Sequence, residues 1–273
     1  MEAPIAPEEA AAPVLLVEKA GAICRLTLNR PRVLNAINIE LGDRLLAALE
    51  DCARDEEVRV IVLAGAGRAF CAGDDIKEGL SLGGAGRPPA ARTVARDLRS
   101  NYFRFRDALR SNPKPILARV QGYAYGAGLD LVLASDIAIA ANDAKLAAAY
   151  VQHGMIGSTS ILPRYVGLKK ALEMLITGEP VDAPEAERLG LINHAVPPEE
   201  LDETVQAWAE KLAAGPTSLI ASIKFAAYRG VDLSFADALA LEAVAIGEAS
   251  RSEDQREGRA AFVEKRPPRY AGR

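Results

Sequence analysis

The stretch that most constrains the fold runs Gly122-Tyr123-Ala124-Tyr125-Gly126-Ala127-Gly128-Leu129-Asp130-Leu131. Apolar residues 116–120 precede it, and residues 129–135 continue it with helical character. The order reads as strand, tight glycine turn, helix start. Glycines at 122, 126 and 128 let the backbone approach a neighbour or a ligand where a side chain would intrude. The N–H groups of a first helical turn have no partner inside the helix, and with the positive end of the dipole they face whatever occupies the turn. Asp130 falls in that first turn. A carboxylate there either answers the helix charge or serves a pocket, and the stretch by itself leaves both open.

Around it the chain alternates strand and helix signals. Residues 14–17 and 22–28 read as strands joined by a turn at 18–21. Asn35 or Asn38 can cap a helix in which Leu41, Leu45, Leu46 and Leu49 share one face. Residues 58–63 form a β-branched run suited to a strand covered on both faces, ended by the small residues 64–67. Residues 81–89 predict a surface loop and 93–110 a helix, closed by Pro113 and Pro115 before the central strand. Residues 136–140 predict one more strand. Repeated strand–helix order places the fold in the α/β class.

Beyond Pro163 the signals turn helical. Leu168, Leu172, Leu175 and Ile176 predict an apolar face ending at Gly178. Pro184 opens a short helix that stops at Gly190, residues 191–196 return to extended structure, and helices follow at 199–214, 218–229, 234–250 and up to Lys265. Such a run after an α/β body suggests an appendage for capping or subunit contact. The expected organisation is a disordered tail at 1–13, a core at 14–200 and a helical region at 201–273.

Composition narrows the function classes. A formal net charge of −4 argues against binding a phosphate backbone. No apolar run approaches the ~18 residues of a membrane span. Cys24, Cys52 and Cys71 are few, odd in number and without metal-ligand spacing, which fits a reducing compartment and argues against a zinc site. The N-terminus lacks the basic start of a signal peptide, so the cytoplasm is the expected location.

A second chemical stretch is Gly67-Arg68-Ala69-Phe70-Cys71-Ala72-Gly73-Asp74-Asp75-Ile76-Lys77-Glu78. Glycines after a strand raise the question of a dinucleotide turn. A third small residue is missing from both candidates: position 70 holds Phe70 after Gly65 and Gly67, and position 131 holds Leu131 after Gly126 and Gly128. No phosphate-loop motif occurs either, and a nicotinamide dehydrogenase is disfavoured.

Together the two stretches resemble the crotonase superfamily, the enoyl-CoA hydratase/isomerase family. The match runs through Arg68–Lys77, Gln121–Gly128, Ser135–Ala140, Leu162–Gly167, Thr177–Glu179, Ala186–Asn193 and segments of the tail at 253–258 and 262–266, at family spacing over nearly the whole chain. The resemblance implies an α/β, ββα-spiral core with a C-terminal helical region that builds homotrimers or hexamers. It implies an acyl-CoA substrate with no further cofactor, metal, nucleic-acid or membrane partner. Two backbone N–H groups would grip the thioester oxygen, those of Asp74 and Ala127. Enolate formation puts charge on that oxygen, and pre-oriented amides stabilise it. Further implied contacts to CoA or substrate are Ala36, Ala72, Asp74, Asp75, Ile76, Lys77, Ala127 and Lys265. The Asp74 side chain is tolerable there if it points away from the oxygen.

The acid/base positions depart from the family. Where hydratases commonly carry two glutamates, this chain has Asp130 and Tyr150, and the loop at 154–159 is about three residues shorter than in many relatives. Syn hydration needs a base for water and an acid for the α-carbon, usually two carboxylates. One carboxylate can serve both in turn, or shuttle a proton in a 1,3-isomerisation. Tyr150 is expected to shape the pocket or donate from its phenol, and His153 is a further acid/base candidate or a structural residue. The expected function is an enoyl-CoA hydratase or isomerase with Asp130 as acid/base. Alternatives are other enolate chemistry (thioester hydrolysis, decarboxylation, a retro-aldol step) or a non-catalytic acyl-CoA-binding oligomer. Residues 81–89 and 98–109 are expected to shape the acyl pocket.

Overall fold

The computed structural model describes residues 12–77 and 101–273, without side-chain detail at 101–103. The tail expected at 1–13 lies almost wholly outside the described residues, as do the loop at 81–89 and the first turns of the helix expected from Thr93.

The main sheet has six strands: β1 (Leu15–Ala20), β2 (Ile23–Leu28), β3 (Val60–Gly65), β4 (Ile116–Val120), β6 (Ile137–Ala141) and β9 (His194–Val196), in the order β1-β2-β3-β4-β6-β9. Only β1 and β2 pair antiparallel, the expected hairpin, while the remaining pairs are parallel. Strand β3 explains why its sequence is an unbroken apolar run. Its side chains alternate between faces, and both faces are covered: Ile61 and Leu63 enter the main core, whereas Val60 and Val62 join Leu117, Ile139 and Ala141 on the other side.

Helix α1 (Ile39–Arg54) covers the first face with Leu41, Leu45, Leu46, Leu49 and Cys52. Asn38 is its cap, the side-chain oxygen accepting from the Leu41 N–H at 3.0 Å. Asn35, the other candidate, is fully buried and has a different task. Its Nδ2 donates to the carbonyls of Ala66 and Ala69 at 2.9 and 2.8 Å, drawing the turn after β3 towards the start of α1. Helix α2 is described over Asn101–Ser111, and α3 (Ala127–Ala134) is buried along its whole length.

A second, three-stranded sheet was not legible in the sequence. It consists of β5 (Tyr123–Tyr125), β7 (Lys145–Ala147) and β8 (Val181–Asp182) in the order β5-β7-β8. The glycine turn after β4 therefore contains a short strand of its own. Helix α4 (Leu162–Thr177) corrects another expectation. Of the expected face Leu168, Leu172 and Ile176 are exposed and Leu175 alone packs against the core, where Leu162, Ala171 and Met174 are the buried positions; the helix is kinked at Gly167 (φ 72, ψ 164). Helix α5 (Ala183–Arg188) follows, capped by Asp182.

Helix α6 (Leu201–Ala213) lies on the second face of the main sheet through Leu201, Val205 and Ala209. Helices α7 (Thr217–Gly230), α8 (Phe235–Ala249) and α9 (Glu253–Glu264) complete the chain. A buried polar knot ties α7 to the sheet. Lys224 Nζ donates to Asp136 Oδ2 and to the Lys114 carbonyl (2.9 Å), the Tyr228 hydroxyl donates to Asp136 Oδ1 at 2.9 Å, and the Ile116 N–H donates to Asp136 Oδ2 at 2.7 Å. Burial pushes the Asp136 carboxyl up and the Lys224 amine down, each held back by the other's opposite charge. Along α7 and α8, Ile223, Phe235, Leu239 and Ile246 stand exposed. No helix among the described residues is long and apolar enough to cross a membrane.

Candidate active site

The segment after β3 is clamped on two sides. The Phe70 N–H donates to the Gln121 carbonyl at 2.8 Å, and Cys71 exchanges hydrogen bonds of 2.9 Å with Tyr123 and Tyr125 of β5. On the opposite side the Ile37 N–H donates to the Gly73 carbonyl at 2.8 Å and the Asp75 N–H to the Ile37 carbonyl at 2.9 Å. In extended backbone, successive residues aim their N–H groups to opposite sides. The Asp74 N–H, flanked by two groups that face Ile37, therefore faces away from it, towards β5 and the start of α3.

Glycine makes that approach possible. At Gly73 (φ +101) a Cβ would lie 3.0 Å from the Tyr125 carbonyl and 3.4 Å from the Ala127 nitrogen. At Gly128 a Cβ would lie 2.3 Å from the Cys71 carbonyl oxygen, well inside contact distance. The segment carrying Asp74 and the first residue of α3 are thus pressed together. The Asp74 N–H bonds to its own carboxylate. Two adjacent donors, one at the positive end of a helix, can hold a single oxygen and favour it as it gains negative charge.

One turn into α3 stands Asp130, only 2% exposed. Its two carboxylate oxygens accept from two hydroxyls: Tyr150 Oη to Oδ2 at 2.8 Å, and Ser158 Oγ to Oδ1 at 2.7 Å. Tyr150 sits in a single 3-10 turn (Ala149–His153) that also carries the ring past Gly126, where an added Cβ would meet it at 3.6 Å. Ser158 takes a left-handed conformation (φ +56) and is buried. Hydrogen bonds to a charged group are worth about twice a neutral one, so these hydroxyls favour the carboxylate form and fix its orientation.

The Asp74 side chain is the surprise of the site. The residue is half-buried. Burial pushes it up to about 6, and the charge of Asp130 adds to that, while its own backbone N–H and Arg106 pull the other way. Arg106 comes from α2, where its Nη1 donates to Ser160 Oγ at 3.3 Å. The Cys71 thiol beside it is raised to about 12, chiefly by burial, with the Gly73 N–H opposing and the Asp74 charge adding.

The remaining expected residues divide. Ala36 and Asp75 are joined through Arg30, whose Nη1 donates to the Ala36 carbonyl at 2.6 Å and to Asp75 Oδ2 at 2.8 Å. Ala72 lies on the same segment, its N–H donating to the Leu34 carbonyl at 2.9 Å. Ile76 and Lys77 follow at its exposed end. Lys265 closes α9 with φ 54 and an exposed side chain, and no hydrogen bond among the described residues joins it to the others. His153 is exposed at the end of the turn that carries Tyr150. Ser158 and Arg106 were not anticipated. A serine in Gly157-Ser158-Thr159-Ser160 carries no pattern, and only the folded loop shows which hydroxyl turns inward.

A mixed α/β core whose 71–74 segment closes on the start of α3 at Gly73 and Gly128, with the buried carboxylate of Asp130 behind it, is the architecture of a crotonase-type protein. The Enoyl-CoA hydratase/isomerase family model matches residues 18–273, and the chain belongs to that family. A probable enoyl-CoA hydratase of Rhodobacter capsulatus is 42% identical over 259 residues, covering 94% of this chain and 97% of that protein. The 1,2-epoxyphenylacetyl-CoA isomerase of Escherichia coli is 37% identical over 264 residues, covering 94% and 97%. Among solved structures, an enoyl-CoA hydratase of Mycobacterium smegmatis superposes with a TM-score of 0.86 at 36% identity, covering 94% of this chain and 99% of that one.

Proposed function

We propose that the chain processes an acyl-CoA thioester through an enolate, with the N–H groups of Asp74 and Ala127 holding the thioester oxygen and Asp130 moving the proton. What supports this reading is the close approach of the Gly73–Asp74 backbone to the Ala127 nitrogen, one helical turn before a buried, hydroxyl-held carboxylate. Ionised Asp130 takes a proton from carbon next to the thioester, the electrons move onto the oxygen, and the two N–H groups meet the charge there. The same Asp130 then returns the proton to the carbon two positions further along the chain, as the double bond moves next to the thioester and the oxygen gives back its charge. Tyr150 and Ser158 hold the carboxylate in place, which matters because a displacement of about 1 Å can cost two powers of ten in rate. CoA would lie along Ala36 and the 72–77 segment.

The occupant of position 150 favours isomerisation over hydration. Hydration asks for a second carboxylate, and here a phenol already bonded to Asp130 takes that place. The similarity to a protein named as a 1,2-epoxyphenylacetyl-CoA isomerase agrees with this.

The test is a panel of short, medium, branched and cyclic enoyl-CoAs with products identified by mass spectrometry, on the native protein and on Asp130→Asn. Turnover should vanish in the variant while acyl-CoA binding survives. Full activity in Asp130→Asn would reject the assignment.

A further inference from the structure

We propose that the cavity between α2, the start of α4, α7 and α8 receives the far end of the acyl group, and that Arg110 and Arg229 fit it for a chain ending in a carboxylate. The substrate is then the monothioester of a dicarboxylic acid. The inference rests on the reading of the site as an acyl-CoA pocket and names the class of acyl group.

The cavity measures about 750 Å3, within the range of small-molecule sites, roughly 300–1,000 Å3. Ser160 and Ile161 line it on the side of the reacting carboxylate. They follow closely on Ser158, whose hydroxyl donates to Asp130 Oδ1 at 2.7 Å. Helix α2 borders both spaces, for it packs against α3, which carries Asp130, and against α7. Arg106 of α2 donates to Ser160 Oγ at 3.3 Å, and its charge reaches the Asp74 carboxyl. An acyl chain that leaves Asp130 along α2 therefore runs towards this cavity.

The lining carries cations where a plain hydrocarbon chain would ask for apolar side chains. Arg110 sits over the Tyr228 ring, 4.6 Å from its centroid, and donates through Nη2 to the Tyr228 carbonyl at 3.4 Å. Arg229 sits over the Phe225 ring at 4.6 Å. Neither arginine enters an ion pair among the described residues. A guanidinium has five N–H donors, so one bond to a carbonyl leaves Arg110 donors for a ligand, and the rings hold both guanidiniums in place. The other charges of the lining are accounted for. Lys224 is paired with Asp136, and Asp232 with Arg164. Asp107 is exposed and pairs with neither arginine. A terminal methyl group would give these arginines nothing to bond, whereas a carboxylate matches the planar fork of a guanidinium with two parallel hydrogen bonds.

The probes are saturated thioesters, which bind without a double bond to move: succinyl-, adipoyl- and suberoyl-CoA beside butyryl-, hexanoyl- and octanoyl-CoA of the same lengths. Affinities are measured by calorimetry for the native protein, Arg110→Met, Arg229→Met and Arg110→Lys, with folding checked by circular dichroism. At one of these lengths the native protein should hold the carboxylate-ended thioester roughly ten- to a hundredfold tighter than its methyl-ended counterpart, the range for a hydrogen bond to a charged group. Arg110→Met and Arg229→Met should each lower that ratio about tenfold. Arg110→Lys keeps the charge but loses the fork, and should restore part of it. A ratio near one at every length in the native protein, or one that neither methionine variant lowers, overturns the inference and leaves the site as described. Free adipate that binds as tightly as adipoyl-CoA and is not displaced by it would mark a separate anion site and overturn the inference as well. Failure of the native protein to bind any of the thioesters overturns the reading of the site and this inference with it.

Discussion

Removing the Tyr150 hydroxyl is the perturbation that best separates a residue that positions Asp130 from one that carries protons. In Tyr150→Phe the ring remains beside Gly126 and the packing is kept, but Oδ2 of a carboxylate only 2% exposed loses a donor at 2.8 Å. Hydrogen bonds to charged groups contribute about 1.5–3 kcal/mol. At 1.36 kcal/mol for each pH unit, the pH at which Asp130 takes up its proton should rise by ~1–2 units relative to the native protein. The sign follows from which form the phenol favours. It donates to the ionised carboxylate, so its loss makes protonation easier and the base is disabled up to a higher pH. The assay is kcat/KM against pH for any enoyl-CoA the native protein turns over. The acidic limb should move up by ~1–2 units in Tyr150→Phe and by a similar amount in Ser158→Ala, with the plateau at higher pH nearly retained. An unmoved limb would show that these hydroxyls do not hold Asp130. A plateau falling as far as that of Asp130→Asn would make Tyr150 a proton carrier, and the reasoning above would be wrong.

Gly128→Ala places a methyl group 2.3 Å from the Cys71 carbonyl, so the 71–74 segment must move off α3 by about 1 Å. Turnover should fall ~100-fold with the fold intact by circular dichroism, and unchanged turnover would show that the spacing of the two N–H groups is not critical. The exposed apolar side chains of α7 and α8 are the surface expected to close against other copies of the chain. Ile223→Glu with Phe235→Glu should lower the mass, by sedimentation, of whatever assembly the native protein forms, and an unaltered mass would exclude that face.

Much of the architecture is written locally. The glycine turn into α3, the Asn38 cap and the β3 run each depend on neighbours a few residues away, and each is legible for that reason. The position of Asp130 in the first turn of α3 follows from the same local pattern. What fails is everything decided at long range. Leu168, Leu172 and Ile176 have helical spacing, yet spacing cannot say which side of the helix faces the core, and a kink at Gly167 re-aims it. Strands β5, β7 and β8 are two or three residues long, and such lengths leave no periodicity to read. Ser158 reaches Asp130 across 28 positions of sequence.

The two donors proposed for the thioester oxygen belong to the main chain, and that shapes how such a site can change over time. No exchange of side chain short of proline deletes an N–H group, so a mutational scan would register Gly73 and Gly128 and pass over the donors themselves. Heredity here acts on spacing. Residues at 74 and 127 are at liberty to vary as long as the bends persist, and a lineage can try out new side chains at the mouth of the site, an aspartate among them, without first giving up its hold on the oxygen.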